Sequence, residues 1–306
     1  MTLLRRGAVR FAFEAAFILL VALGTCVLLR RRSAAVRHWV LAMAILGAVA
    51  IPVAERVVPT WPVAAAPPTI LRGSEDPRGS RDERGSKDPR LHLNGDRSRA
   101  SLDPPNLGPW LAWVWLAGTG ASLLTLAIGF IRLRRVAAQA QPIQARAWID
   151  ALAEIAREYD VRRPVALLSG SHPGLLVTWG LVRPKILVPP AALTWDASRI
   201  AVVLRHELAH VARHDWITQL TAELLRSIYW FNPLTWMACR RLRDESERAA
   251  DDAVLLRGAH PAEYAAHLLD LARCMTHHDR AWAAAPAIAR PSSLERRITA
   301  MLNRHL

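Results

Sequence analysis

Three long apolar stretches dominate the pattern of the first 131 residues. They cover residues 11–29, 39–54 and 109–131, and the last of them carries no charged side chain. Because about 20 apolar residues are needed to cross the hydrocarbon core of a bilayer, we predict three transmembrane helices. The second stretch is the shortest and can be extended only through Val57 and Val58. The first is followed by arginines rather than by a small-residue cleavage site, which indicates a retained span and not a signal peptide.

Arginines mark one end of each of these stretches. The segment 30–37 between the first two carries four arginines and no acid, and residues 132–135 after the third carry three. The positive-inside rule therefore predicts that both lie on the cytoplasmic side of an inner (plasma) membrane that the chain crosses several times. Arg5, Arg6 and Arg10 favour the opposite orientation, which remains an alternative.

The segment between the second and third stretches has a different composition. Residues 55–108 carry many charges of both signs, and aromatic or β-branched residues are nearly absent after Thr69. Such a segment cannot bury a core, so we expect a disordered extracytoplasmic loop. The predicted organisation is two spans in residues 1–54, this loop, a third span at 109–131 and a cytoplasmic domain at 132–306.

The periodicity beyond residue 132 is that of a mixed α and β domain. Three short apolar runs separated by turn residues such as Gly180 and Pro184 predict a small sheet. A Ser292-to-Glu295 capping box predicts a last helix. The fold class is thus a mainly α integral-membrane protein with an α+β domain that contains a small sheet. Its predicted helices cover residues 145–159, 197–215, 217–228 and 263–272, and its strands cover 165–168, 175–179 and 185–188.

The apolar, aromatic stretch 217–236 allows two interpretations. One is a core helix of the soluble domain. The other is partial embedding in the membrane, with its tryptophans at the depth of the lipid headgroups, where such rings are enriched. Pro233 should interrupt the helix after Asn232 in either case.

The string His-Glu-Leu-Ala-His at residues 206–210 carries the candidate chemistry. On a helix, His206 and His210 share a face and can offer two imidazoles to one metal ion. Glu207 is placed to act on a water at that metal without being a ligand. Two ordinary core histidines would both need hydrogen-bond partners, and they would leave the neighbouring carboxylate unexplained.

A third ligand must come from elsewhere in the chain. Trp216 occupies the position at which some related motifs carry a third histidine, and His214 would lie ~12 Å from the first histidine on a straight helix. Glu223 is one candidate, and Glu247 is the stronger one. Asp251, one turn after Glu247, could orient a ligating imidazole through its other nitrogen. Two histidines, one glutamate and an open position form a known catalytic zinc set, although arginines around this acidic stretch are also typical of a solvated helix face.

Four segments together resemble a known family. They read WGLVRPKILVP at 179–189, RHELAHVARHDW at 205–216, YWFNPLTW at 229–236 and ERAADDAVL at 247–255. These segments are similar to those of the BlaR/MecR-type integral-membrane zinc metallopeptidases, which are antirepressor, signal-transducer peptidases of bacteria. The resemblance covers roughly residues 140–300.

The resemblance implies a zincin-like, gluzincin-type peptidase fold with one Zn2+ ion on the cytoplasmic side. It assigns the metal ligands to His206, His210 and Glu247, and the catalytic acid/base to Glu207. Asp251 matches the carboxylate that follows the glutamate ligand. It also implies a protein substrate such as a transcriptional repressor.

The chain departs from the family pattern in two places. Ala250 stands where the family often has cysteine, which leaves the expected ligands intact. Up to Leu306 no later apolar run is long enough to span a membrane, and no Ser-x-x-Lys module follows. We therefore do not expect β-lactam sensing to carry over.

The functional hypothesis is a membrane-bound zinc endopeptidase that cleaves a cytoplasmic protein. A non-catalytic membrane transducer and a heat-shock-type quality-control protease are the alternatives. An extended substrate would pair with an edge strand within residues 175–188. Tyr229, Tyr264 and Arg205 are possible oxyanion stabilisers without positional support from the sequence.

Charge and cysteine content narrow the classes of function that the sequence allows. The formal net charge is +14, which a basic face beside anionic lipid explains, and no helix-turn-helix or zinc-finger pattern is present. Direct nucleic-acid binding is therefore not expected. The three cysteines have neither metal-ligand nor disulfide spacing.

Overall fold

The structure, a computed structural model, describes residues 2–57, 108–172 and 175–276. It confirms a mostly helical protein in which three apolar helices precede a region with a small mixed sheet. Most of the expected loop at 55–108 and the capping box at Ser292 lie outside the described residues.

Three long helices correspond to the apolar stretches. Within the described residues, three helices are long and apolar enough to cross a membrane, with windows of mean hydropathy 2.4, 1.8 and 1.8. Each helix exceeds its apolar stretch at one end or both, because helical hydrogen bonding continues into the flanking polar residues. The helices are α1 (Thr2–Leu28), α2 (Ala34–Val57) and α3 (Gly108–Gln139).

The start of α2 corrects the boundary expected at residue 39. The helix begins at Ala34 and therefore contains Arg37 and His38, which are 6% and 0% exposed. Arg37 is not a solvated turn residue. Its guanidinium donates to carbonyl oxygens of the preceding turn, including that of Arg30 at 3.3 Å, and pairs with a buried glutamate, Glu245, at 2.7 Å. These partners, of which Glu245 is distant in the sequence, allow the charge of Arg37 to be buried between packed helices.

The remaining elements follow in the expected order with small shifts at their ends. The strand of two residues that precedes the first helix of this region was not predicted, because its exposed side chains show no alternation. In chain order the elements are β1 (Gln141–Pro142), α4 (Arg146–Glu158), β2 (Ala166–Ser169), β3 (Val177–Trp179), β4 (Lys185–Val188), α5 (Ala197–Arg213), α6 (Asp215–Ile228), α7 (Pro233–Leu255) and α8 (Pro261–Thr276).

The sheet has the strand order β1-β2-β4-β3. β2 and β4 are parallel, whereas β3 pairs antiparallel with β4 through the register Thr178↔Ile186. Gly180 allows the tight turn between β3 and β4 because its φ is 98°, a left-handed value that disfavours other residues. β3 is consequently an edge strand, and it lies against α5.

One apolar core fixes α5, the helix that carries His206 and His210, to the sheet. The apolar stripe of α5 packs on α4, β2 and β4, and the N-cap Asp196 accepts a hydrogen bond from the Arg199 backbone at 2.7 Å. The buried members of this core include Trp148, Ile155, Leu167, Ile186, Ile200, Leu204, Leu208 and Val211.

A second core joins the first two apolar helices to the helices that follow the histidines. It combines side chains of α1 and α2 with side chains of α6 and α7. The helix pair α6–α7 therefore belongs to the same packed unit as α1 and α2. The buried members are Ala15, Leu19, Ala22, Cys26, Leu41, Ala42, Ile45, Ala48, Ala222, Leu225, Tyr229, Ala238, Cys239 and Leu242.

Candidate metal centre

Two imidazoles of α5 point at the same place. His206 and His210 are one helical turn apart, and their Nε2 atoms are separated by 3.2 Å. Two nitrogens that are each ~2.0–2.1 Å from one tetrahedral ion would lie ~3.3 Å apart. The observed spacing is therefore the spacing that a shared metal ion requires.

α7 brings a carboxylate to the same point. Glu247 Oε2 lies 3.6 Å from Nε2 of His206, and its Oε1 lies 3.8 Å from Nε2 of His210. One donor atom from each of the three residues falls within 4.8 Å of the others, which among the described residues makes them a group that could hold a metal ion. The packing of α5 on α7 brings the two histidines and the glutamate together in space, although they are far apart in the sequence.

The second nitrogen of His206 faces a tyrosine and an aspartate. Nδ1 lies 2.9 Å from the Tyr264 hydroxyl and 3.3 Å from Oδ1 of Asp251, and the hydroxyl donates to that same oxygen at 2.7 Å. Asp251 is 3% exposed and Tyr264 is 1% exposed. The carboxylate thus stands where the sequence placed it, and Tyr264 adds a link that the sequence did not indicate.

The second nitrogen of His210 faces a carboxylate that sequence reasoning missed. Oδ2 of Asp215 lies 2.7 Å from Nδ1 and also accepts a hydrogen bond from Ser246 Oγ at 2.7 Å. Arg213 donates to both oxygens of this carboxylate. Burial opposes ionisation of Asp215, but the hydrogen bond from His210 and the charge of Arg213 hold the pKa of its carboxyl well below the usual range.

Asp215 reaches His210 because the chain turns sharply between them. His214 ends α5 in the left-handed conformation, with φ 61°, and Asp215 then begins α6. A non-glycine residue in this conformation gives little signal in the sequence. The same carboxylate has a partner on α2, since Oδ1 lies 3.4 Å from Nε2 of His38.

The expected acid/base is held between α5 and the edge strand. Glu207 is 7% exposed, and its Oε2 accepts a hydrogen bond from Oγ1 of Thr178 at 2.6 Å. Thr178 belongs to β3, so the strand that could receive a substrate also fixes this carboxylate. The alternation of a three-residue strand was too short to single out Thr178 beforehand.

An open pocket of about 290 Å3 adjoins this arrangement. Arg163 braces its wall by donating to the carbonyl oxygen of Leu181 at 2.6 Å and to that of Val211 at 2.9 Å. The pocket lies beside β3 and one of the two imidazoles, where a substrate side chain could enter. Its lining includes Thr178, Leu181, His210, His214, Trp216 and Ile217.

Other residues singled out from the sequence lie elsewhere. Glu223 is 2% exposed and pairs with Arg226 and Arg243, away from the histidines. Of the residues considered as oxyanion stabilisers, Tyr229 packs in the core shared with α1 and α2. Arg205 pairs with Glu158 at 3.3 Å on the outer side of α5, and the tyrosine of α8 lies behind His206, as described above.

Comparison with known proteins identifies the family. The BlaR1 peptidase M56 family matches residues 7–301. The regulatory protein BlaR1 of Bacillus licheniformis is 28% identical over 142 residues, which are 46% of this chain and 24% of that protein. The methicillin resistance mecR1 proteins of Staphylococcus aureus and Staphylococcus epidermidis are 30% identical over 80 residues, which are 26% of this chain and 14% of those proteins. Through a match that covers nearly its whole length, this chain belongs to the BlaR1 peptidase M56 family.

Proposed function

We propose that the protein is a membrane-bound, zinc-dependent endopeptidase that cleaves a cytoplasmic protein. The observation that carries the proposal is the convergence of two Nε2 atoms and the Glu247 carboxylate beside a buried glutamate, Glu207. One donor atom from each of His206, His210 and Glu247 lies within 4.8 Å of the others, which supports a shared ion.

The donor set fits Zn2+. His206, His210 and Glu247 would hold the ion through two nitrogens and a carboxylate, a set typical of catalytic zinc sites. Both imidazoles have their Nδ1 atoms next to hydrogen-bond partners, which leaves Nε2 available as the donor atom. When bound, the ion would lower the pKa of a water molecule and polarise the carbonyl of the scissile peptide.

Glu207 would move the protons of the reaction. Hydrolysis forms a bond from the water oxygen to the carbonyl carbon and breaks the bond from that carbon to the amide nitrogen. The water must lose a proton, and the departing amine must gain one. The Glu207 carboxylate can accept the first proton and return it to the nitrogen. The Thr178 hydroxyl keeps the carboxylate in one orientation while this happens.

The edge strand β3 supports the way in which a substrate would bind. Within the part of the chain that the structure describes, no strand neighbours its outer backbone groups, so an extended peptide could pair with them. A peptide on this edge would run past Thr178 and hence past Glu207, with one side chain directed into the adjoining pocket.

A regulatory substrate is the choice that the relatives favour. Their names describe a regulatory protein and methicillin resistance proteins. For this chain we propose a cytoplasmic regulatory protein, such as a transcriptional repressor, as the substrate. The arginines at 30–37 and 132–135 support a multi-pass protein of the plasma membrane with its metal centre on the cytoplasmic side.

The test compares Glu207→Gln with the matched control Glu154→Gln, which changes an exposed glutamate of α4. Full-length protein is purified, its metal content is measured, and substrate proteins that remain bound are identified by mass spectrometry. We expect E207Q to retain its metal and to lose cleavage by roughly 100-fold or more, the contribution of a positioned proton-transfer group. E154Q should match the wild type.

Three outcomes would contradict the proposal. Cleavage by E207Q at the wild-type rate would remove Glu207 from the reaction. A cellular response that survives E207Q unchanged would favour a non-catalytic transducer. Degradation of many unrelated membrane proteins, instead of one processed target, would favour quality control.

A further inference from the structure

We propose that the α6–α7 hairpin, defined here as residues 217–239, is a re-entrant membrane element whose outer face is covered by lipid acyl chains. It would enter the bilayer beside the α1–α2 turn and return to the same side. The inference rests on α1, α2 and α3 being membrane spans and does not depend on peptidase activity.

α6 follows α3 through most of the length of that span. At one end, the rings of Phe130 and Trp216 meet edge to face with centroids 6.3 Å apart. At the other end, the Trp115 indole donates to the carbonyl oxygen of Ile228 at 2.9 Å. From residue 115 to residue 130 a helix rises ~22 Å, most of the ~30 Å of a bilayer's hydrocarbon core.

The tip of the hairpin, which is the turn between α6 and α7 around Trp230, fits closely against α3 at the depth of Gly118. A Cβ atom on Gly118 would overlap the indole of Trp230, whereas a Cβ atom on Gly120 would meet nothing within 4 Å. The glycine therefore permits the close approach of the two helices. Gly118 lies well inside the apolar span that begins at Trp110, so the tip is at a depth where lipid surrounds α3.

The inner face of the hairpin is buried against the other two spans. Leu225 and Tyr229 of α6 and Leu242 of α7 share one core with side chains of α1 and α2. Because α1 and α2 are themselves apolar spans, this contact places the hairpin among them and not in a separate aqueous domain.

The outer face is apolar, as are the exposed surfaces of the three candidate spans. Large apolar side chains at the surface of the hairpin are Leu224, Phe231, Trp236 and Met237, with Met237 56% exposed. The surfaces of α1 and α3 expose side chains of the same kind, such as Phe17 and Trp113, both 67% exposed. Large apolar side chains exposed together indicate a membrane contact, and the contacts of α6 along α3, an apolar candidate span that is itself mostly exposed, select acyl chains as the occupant.

Polar groups in the turn of the hairpin find partners within the protein, which lowers the cost of hydrocarbon surroundings. Among the described residues, Gln219 Oε1, Trp230 Nε1 and Thr235 Oγ1 are the buried side-chain atoms of the hairpin without a hydrogen-bond partner. In the turn, the Asn232 backbone donates to Tyr229 at 2.9 Å, the Leu234 backbone donates to Asn232 Oδ1 at 3.0 Å, and the Trp236 indole donates to Trp230 at 2.7 Å. The buried charges are paired as well, because the carboxylate of α6 accepts from two arginines. That cluster consists of Glu223, Arg226 and Arg243.

Both arms of the hairpin start from the same side of the spans. Asp215, at the start of α6, lies 3.4 Å from His38 near the start of α2. Arg37 connects the α1–α2 turn to Glu245, which follows the hairpin on α7. The candidate metal ligands His206, His210 and Glu247 lie directly beyond these contacts, so the metal centre would be at the membrane surface. Substrates would then be cut only where they can approach the bilayer.

Depth measurements with nitroxide labels test the inference in full-length protein reconstituted in lipid nanodiscs. Cys26, Cys239 and Cys274 are replaced by alanine, and single cysteines are introduced at Met237 or Phe231. Phe17→Cys is the lipid reference. Leu256→Cys is the water reference, because this apolar residue at the end of α7 is 85% exposed.

We expect the ratio of oxygen to nickel-chelate accessibility at positions 237 and 231 to equal that of position 17 and to exceed that of position 256 several-fold. A ratio at positions 237 and 231 equal to that at 256 would overturn the inference.

A charge-insertion experiment keeps the inference testable if the cysteine-free protein does not fold. Met237→Arg and Leu256→Arg are compared in the otherwise native chain. We expect M237R to lower the yield of membrane-inserted, folded protein several-fold and L256R to leave it unchanged. Equal yields for the two variants would overturn the inference. Neither result bears on the peptidase proposal, which is tested by metal content and by E207Q.

Discussion

Oδ2 of Asp215 lies 2.7 Å from Nδ1 of His210, and this contact connects the candidate metal centre to the rest of the molecule. The same carboxylate accepts hydrogen bonds from Ser246 of α7 and Arg213 of α5, and it lies 3.4 Å from His38 of α2. One buried carboxylate thus ties the imidazole to two helices and to an apolar span. The orientation of His210 depends on the position of all three.

Asp215→Asn should weaken metal binding. Loss of the charge removes the partner that holds His210 with Nε2 toward the ion, and such partners typically contribute ~10- to 100-fold in metal affinity. We therefore expect a Zn2+ affinity lower by this factor in competition with a chromogenic chelator.

Asp160→Asn is the matched control for that change, because Asp160 is an exposed residue whose ion pair with Arg162 lies on the protein surface. Its affinity should equal that of the wild type. Unchanged affinity in D215N would mean that the Asp215 contact does not orient the imidazole.

Thr178→Val should slow cleavage while the metal stays bound. The substitution keeps the shape of the side chain and removes the hydroxyl that donates to Glu207 at 2.6 Å. Hydrogen bonds to charged groups contribute about 1.5–3 kcal/mol, which corresponds to roughly a 10- to 150-fold lower kcat/KM.

The conservative variant Thr178→Ser separates positioning from packing. It restores the donor and should recover most of the activity. If T178S were as slow as T178V at equal metal content, the hydroxyl would not be what positions Glu207.

Arg37→Met should strongly destabilise the protein. It removes the α2 partner of Glu245, which is 0% exposed and, among the described residues, keeps only the partly exposed Arg241 and Arg248. Breaking a buried ion pair costs ~3–5 kcal/mol when the charge is left uncompensated, so we expect a cost toward the lower end of that range. The exposed pair of Arg162 and Asp160 gives the control, since Arg162→Met should cost only ~0–1 kcal/mol. The measurement is thermal unfolding in nanodiscs. Equal unfolding temperatures for R37M and R162M would contradict a structural role for the buried pair.

Local patterns in the sequence predicted the parts of the site that depend on helical spacing. Helical spacing placed His206 and His210 on one face of α5, and the structure packs the same helix into the core through Leu204 and Leu208. The three long apolar helices and the strand β4 followed from apolar runs alone. Each of these features is decided by neighbours a few residues away.

Contacts between elements that are far apart in the sequence could not be predicted from such local patterns. Asp215 meets His210 only because His214 adopts a left-handed conformation. Thr178 meets Glu207 only because β3 lies on α5, and the early start of α2 depends on the partner of Arg37 on α7. For the same reason, the sequence alone leaves residues 217–236 open to interpretation as a core helix or a membrane element, and it is their packing on α1, α2 and α3 that supports our proposal.

The central claim is that His206, His210 and Glu247 bind one metal ion, and the zinc content of purified protein tests it most directly. The wild type should hold one Zn2+ per chain after dialysis, as should Glu263→Ala, which removes an exposed glutamate of α8. Glu247→Ala should lose most of its zinc under the same conditions, because two imidazoles alone hold the ion weakly. One tightly bound Zn2+ per chain in E247A, or none in the wild type, would contradict the claim.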